Sequence, residues 1–154
     1  MNPMKPKYII ATLNDLIETS KDGEYGFRTS AEYMSSAEIK QLFLRRAEEC
    51  RQAAADMQAL VVRLGGDAED SGSIAGAAHR GWVAVKGTLA GYTDKAILEE
   101  TERGEDSALE TYRSALEQDL PDDVRLLIER QYEGVKRNHA QVRALRDQSR
   151  LATT

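Results

Sequence analysis

The chain has 154 residues, enough for one domain with a sizeable hydrophobic core, and its 26 acidic and 21 basic side chains give a net charge of −5. This acidic balance argues against a general nucleic-acid binder, and the single cysteine, Cys50, excludes an intrachain disulfide and any CxxC metal or redox motif. No apolar run approaches the roughly 18 residues that span a bilayer, and the basic N-terminus lacks a secretory hydrophobic region, so we expect a cytoplasmic protein without a membrane partner.

The first predicted helix covers residues 8–34, where apolar residues recur at steps of three and four over more than three heptads. Gly23 and Gly26 each cost about 1 kcal/mol relative to alanine inside a helix, and we expect the apolar periodicity to outweigh them. Glu24 falls on the stripe of this helix that should face the core. The sequence therefore predicts a carboxylate inside the protein.

The rest of the chain predicts three more long helices and one short helix. Ser35 begins a capping box at the start of the second helix, and Gly65 and Gly66 mark its end. Trp82, the only tryptophan, lies on the apolar face of the short helix and should pack against the other helices. The predicted bounds are 36–64, 94–119 and 121–148, with the short helix inside 73–90 and frayed ends at 1–7 and 149–154.

These elements predict an all-α, ferritin-like four-helix bundle that forms a single domain over residues 1–154. The link between the second and third long helices has roughly 28 residues, enough for a partly helical segment to run back along a helix roughly 40 Å long. The second and third helices would then run parallel. One long crossover of this kind is the connection found in ferritin-type bundles.

Matching the helices by depth brings polar residues from all four of them to one layer in the middle of the bundle. In two helices joined by a short turn, residues at equal distances from that turn lie at the same depth in the bundle. The carboxylates in this layer are Glu24, Glu49, Glu102 and Glu105, and the other members are Gln52, Gln131, Asn138 and His139. Tyr112, on the stripe of the third helix, is placed to hydrogen-bond this layer.

Two interpretations of the layer stay open, because clustered carboxylates repel one another and are costly to bury. One is a di-metal site for iron or manganese, with Glu24, Glu49, Glu102, Glu105 and His139 as the candidate ligands. Ferritin-like di-iron sites use Glu-x-x-His, and this chain has Gln52 where the histidine belongs. The other interpretation is a polar layer without a cation, in which arginines neutralise the carboxylates, with Arg28, Arg45 and Arg46 as the candidates, or at least one carboxyl is protonated.

Three segments, taken in order, resemble a bacterial family of uncharacterised ferritin-like four-helix-bundle proteins, classed as a domain of unknown function. They are LNDLIETSKDGEYGFRTSAE, LGGDAEDSGSIAGAAHRGW and ILEETERGEDSALETYRSAL. The resemblance covers about residues 9–145. It implies a single ferritin-like domain. Because the family has no established activity, the resemblance identifies no catalytic residue.

Two functions follow from these observations. The first is a non-enzymatic, stress-related helical protein that self-associates into a homo-oligomer or binds a partner. The second is a di-metal ferritin-like protein or oxidoreductase that uses the mid-bundle glutamates. Neither a Ser-His-Asp or Cys-His arrangement nor a glycine-rich phosphate loop has local support, so no catalytic residue is assigned.

Overall fold

The computed structural model describes residues 4–69 and 93–152, which form four α-helices and contain no strand. The predicted all-α class is confirmed for this part of the chain. The helices are α1 (Pro6–Tyr33), α2 (Ala37–Arg63), α3 (Asp94–Leu116) and α4 (Asp122–Ala152). The predicted short helix, with Trp82, lies outside the described residues. None of the described helices is both long and apolar enough to cross a membrane.

The helix ends follow local capping chemistry. α2 begins after Ser36, whose side chain accepts a hydrogen bond from the backbone N–H of Ile39. The prediction that Ser35 is the cap is therefore wrong by one residue. α2 ends before Gly65, which has a φ of 82°, a left-handed conformation that glycine adopts without strain. α4 continues to Ala152, four residues beyond its predicted end.

Hydrogen bonds between helices fix their relative directions. The carboxylate of Asp94, at the start of α3, accepts from the backbone N–H groups of Ser35 and Ser36 in the α1–α2 turn. Near the other end of the bundle, the hydroxyl of Thr12 donates to Oε1 of Gln118, just after α3. α1 and α3 are therefore antiparallel, and α2 and α3 point in the same direction. The path of the segment between them stays a prediction.

Apolar side chains form two cores, one at each end of the bundle. α1 packs on α2 and α3, and α3 packs on α4. The first core lies where α1 begins, and its largest members are Leu13, Leu16, Ile17, Met57, Val61, Tyr112, Val124 and Ile128. The second core lies where α1 ends and contains Phe27, Ala31, Met34, Leu42, Phe43, Ala47, Ile97, Leu98 and Val142. The predicted polar layer falls between these two cores.

Candidate functional site

A cavity of about 790 Å³ lies between the two cores. All four helices contribute to its described lining, which spans positions from Thr19 in α1 to Asn138 in α4. Cavities that hold small organic molecules typically measure about 300–1,000 Å³. We refer to this space as the mid-bundle cavity, and its volume is that of a small-molecule site.

Glycines form part of the wall of the mid-bundle cavity. Four glycines occur inside the described helices, and all four line it: Gly23, Gly26, Gly104 and Gly134. A Cβ atom added at Gly26 or Gly104 would meet no atom within 4 Å among the described residues, so neither glycine is required by close packing there. At Gly23 the added atom would lie 2.9 Å from Sγ of Cys50. Two of the four glycines therefore leave space that a side chain could fill.

Glu105 is the buried carboxyl group of this cavity. The residue is 6% exposed, and its Oε1 has no hydrogen-bond partner within the described part of the chain. Burial raises the pKa of this carboxyl to about 8, Arg46 opposes that rise, and Asp106 and Glu102 add to it. Glu105 therefore keeps its proton in most molecules at neutral pH.

The other three predicted carboxylates are each paired with arginine. Glu24 is 16% exposed and binds Arg28 of its own helix at 3.1 Å. The Glu49 side chain is 55% exposed, so its predicted inward position is wrong: it lies at the rim of the cavity, and Arg46 donates to both of its oxygens.

Glu102 is buried at the α3–α4 interface, and it receives hydrogen bonds from Arg143 and Arg146 of α4. Neither of these arginines was a sequence candidate. Two of the four predicted carboxylates, Glu49 and Glu105, line the mid-bundle cavity. Glu24 and Glu102 are not part of its described lining.

His139 belongs to a second polar cluster, on α3 and α4. Its Nε2 lies 2.5 Å from Oδ1 of Asp106, and Glu102, Asp106 and His139 offer ligand atoms within 4.8 Å of one another. Sequence reasoning missed Asp106, although its i,i+4 spacing from Glu102 is a signal for two acids on one helix face. An imidazole and two carboxylates suit iron, manganese or zinc, but both Glu102 oxygens already accept from arginines. The cluster is a poor fit for a metal as it stands.

A chain of hydrogen bonds crosses the bundle beside the cavity. Tyr112 donates its hydroxyl hydrogen to Oε1 of Gln131 at 2.9 Å, and Gln131 donates to the backbone oxygen of Ala53 at 3.3 Å. The predicted hydrogen bond from Tyr112 to the polar layer is confirmed. Burial raises the pKa of Tyr112 and that of the Cys50 thiol to about 12, so both groups stay neutral. Neither is an activated nucleophile.

The family comparison agrees with the unknown-function class inferred from the sequence. A family model described as a domain of unknown function (DUF2383) matches residues 8–118. The chain belongs to this family. The match includes nearly all of α1, all of α2 and α3, and the segment between α2 and α3, and it ends before α4. No curated protein sequence matches the chain. The DUF2383 description assigns no activity.

Proposed function

We propose that this protein is a ferritin-like helical bundle that acts by binding and not by catalysis, with arginines in place of a di-metal centre. The observation that carries the proposal is the pairing of Glu24, Glu49 and Glu102 with arginines. Each guanidinium supplies the positive charge and the hydrogen-bond donors that would otherwise come from a metal ion. These carboxylates therefore need no bound cation.

Self-association is the second part of this proposal. Three large apolar side chains are exposed at the end of the bundle where α1 and α4 begin and α2 ends: Tyr8, Val62 and Leu126. Burying exposed apolar side chains between two copies would stabilise a homo-oligomer. Sedimentation velocity over a range of protein concentrations tests this part.

Elemental analysis of protein purified without a metal-affinity tag tests the main proposal. We expect no stoichiometric iron or manganese, and a melting temperature that a chelator does not change. The Glu24→Gln variant loses a partly exposed ion pair, so its free energy of unfolding should change by no more than about 1 kcal/mol, with or without added metal. If Glu24→Gln lowered the free energy of unfolding by more than this, and only in metal-loaded protein, Glu24 would be identified as a metal ligand and the proposal would be contradicted.

Metal binding by Glu102, Asp106 and His139 is the second candidate function. The distance of at most 4.8 Å between their ligand atoms favours it. For a metal to bind, Arg143 and Arg146 would first have to release Glu102. Titration of the purified protein with Mn²⁺ would favour this candidate if it showed saturable binding that His139→Gln abolishes.

A further inference from the structure

We propose that the mid-bundle cavity binds a small organic ammonium ion with an apolar body, and that the carboxylate of Glu105 is its counter-ion. This inference rests on the proposed binding function and names the ligand class. It is independent of metal content, because the described lining of the cavity includes neither His139 nor Glu102.

The cavity is maintained at a cost in helix stability. Glycine inside a helix destabilises the helix by roughly 0.5–1 kcal/mol relative to alanine, and four glycines of the described helices line this cavity. At Gly26 and Gly104 no described neighbour would prevent a larger residue. Space for a ligand explains both of these glycines.

Glu105 is the independent observation that indicates what the ligand carries. Its side chain lines the cavity, the residue is 94% buried (6% exposed), and Oε1 lacks a hydrogen-bond partner among the described residues. In the nearby guanidinium of Arg46, Nη1 donates to Glu49 and Nη2 to Gln141, while the buried Nε, like Oε1 of Glu105, has no hydrogen-bond partner among the described residues. A buried carboxyl oxygen without a partner is unfavourable, and an ammonium group supplies the missing donor.

The charge of the lining favours a cation over an anion. Among the described residues of the lining, five side chains are acidic (Asp22, Glu49, Asp56, Glu100 and Glu105) and three are basic (Arg103, Arg130 and Arg137). The apolar body of the ligand would lie against Phe27, Ala53, Ala108, Leu127 and Val135, which line the same space. Small-molecule sites combine apolar surface with polar groups that orient the ligand, and Glu105 is a buried polar group of this lining.

Binding of an ammonium ion should release a proton. Near neutral pH the Glu105 carboxyl is protonated in the free protein, so its proton passes to solvent as the carboxylate pairs with the ammonium. The charged groups that act on Glu105 are Arg46 on α2 and Glu102 and Asp106 on α3. Glu24 of α1 and Glu49 of α2 act on the adjacent Cys50. From α4, Arg130 and Arg137 belong to the cavity lining. Affinity should therefore fall about tenfold for each pH unit below the pKa of Glu105.

Isothermal titration calorimetry with octylamine, octanol and octanoate tests the proposal, because these probes share an alkyl chain and differ in head-group charge. We expect octylamine to bind at about pH 8 and to release a proton. At pH 7 it should bind roughly fivefold more weakly, because the ionised fraction of a carboxyl with a pKa of about 8 falls from about one half to about one tenth. Octanoate should not bind. Glu105→Gln should weaken octylamine binding at pH 8 by at least about tenfold and remove its pH dependence.

Two further variants complete the test. Glu110→Gln removes an exposed carboxylate of the same helix that does not line the mid-bundle cavity, and it should bind octylamine as the wild type does. Gly26→Leu places an apolar side chain at the cavity wall, where an added Cβ atom would meet no described atom within 4 Å, and it should abolish binding while circular dichroism shows an intact fold. Octanol or octanoate binding as tightly as octylamine would overturn the proposal, as would unchanged octylamine binding in either Glu105→Gln or Gly26→Leu.

Failure of this inference is distinguishable from failure of the proposed function. A stoichiometric metal in the purified protein would contradict the arginine-neutralised layer and leave the octylamine result standing. Absence of octylamine binding in metal-free protein would overturn the ligand class alone.

Discussion

Gly23 and Gly26 lie three residues apart in α1 and differ in what a methyl group at each position would meet. At Gly26 the methyl group would meet no described atom within 4 Å, so Gly26→Ala should raise the free energy of unfolding by roughly 0.5–1 kcal/mol. At Gly23 it would lie 2.9 Å from Sγ of Cys50, so Gly23→Ala should stabilise less or destabilise. Urea denaturation followed by circular dichroism measures both changes.

Cys50→Ala provides the control for this pair, because it removes the sulfur atom that the new methyl group would contact. Gly23→Ala should be more favourable in the Cys50→Ala background than in the wild type, whereas the effect of Gly26→Ala should be the same in both. Equal gains from the two glycine substitutions in the wild type would show that Cys50 does not restrict position 23.

Glu105 should make the stability of the protein decrease as the pH rises. The pKa of this carboxyl is about 8 in the folded protein, against a reference value of 4.5. Between these two pH values the folded state holds more protons than the unfolded state, so its stability falls with increasing pH, by at most about 1.4 kcal/mol per pH unit. Above the folded pKa both states are ionised and the decrease ends.

Glu105→Gln removes this titration. The variant should therefore gain stability relative to the wild type as the pH increases from about 5 to 8. Urea denaturation of both proteins at several pH values measures the difference. Glu110→Gln, on the exposed face of α3, is the matched control, and parallel curves for Glu105→Gln and the wild type would contradict a raised pKa.

At the scale of whole helices, Asp94 ties the start of α3 to the α1–α2 turn. Its two carboxylate oxygens accept backbone hydrogen bonds from Ser35 at 2.7 Å and Ser36 at 3.0 Å. Asp94→Ala leaves both donors without this partner and should lower the free energy of unfolding by about 1–3 kcal/mol. Chemical denaturation with a two-state fit measures the loss.

Asp122→Ala is the control, because Asp122 occupies the corresponding first position of α4 and is exposed. Both substitutions remove a negative charge from a helix N-terminus, an effect of about 0.3–1 kcal/mol, but only Asp94 bonds the α1–α2 turn. Similar losses from the two variants would reduce the role of Asp94 to the effect of its negative charge at the helix N-terminus.

Each described helix was predictable within four residues at both ends because its signals are local. A stripe at steps of three and four identifies a buried helix face, and glycine or proline limits its length. The preference for Ser36 over Ser35 as the cap was not predictable in this way. Either serine can accept the hydrogen bond, and the backbone path of the α1–α2 turn decides which one does.

For the whole molecule, the two apolar cores secure the ends of the bundle and leave the polar layer between them. The heptad spacing predicts this division, because the stripe of α1 is apolar toward both ends and carries Ser20 and Glu24 in its middle. Matching the helices by depth also predicts one layer for five residues that line the mid-bundle cavity: Glu49, Gln52, Glu105, Gln131 and Asn138.

The sequence alone therefore determined the helices, their cores and the depth of the polar layer, because periodicity and distance from a turn are properties of the chain itself. Which carboxylates are neutralised depends instead on how the helices pack together. Glu102 is bound by Arg143 and Arg146, which follow it by 41 and 44 residues, whereas Oε1 of Glu105, three residues along the same helix, has no partner among the described residues. Long, flexible arginine side chains can reach several carboxylates, so spacing cannot assign the pairs. The cavity, too, depends on the distances between helices, and these are set when the side chains of all four pack together.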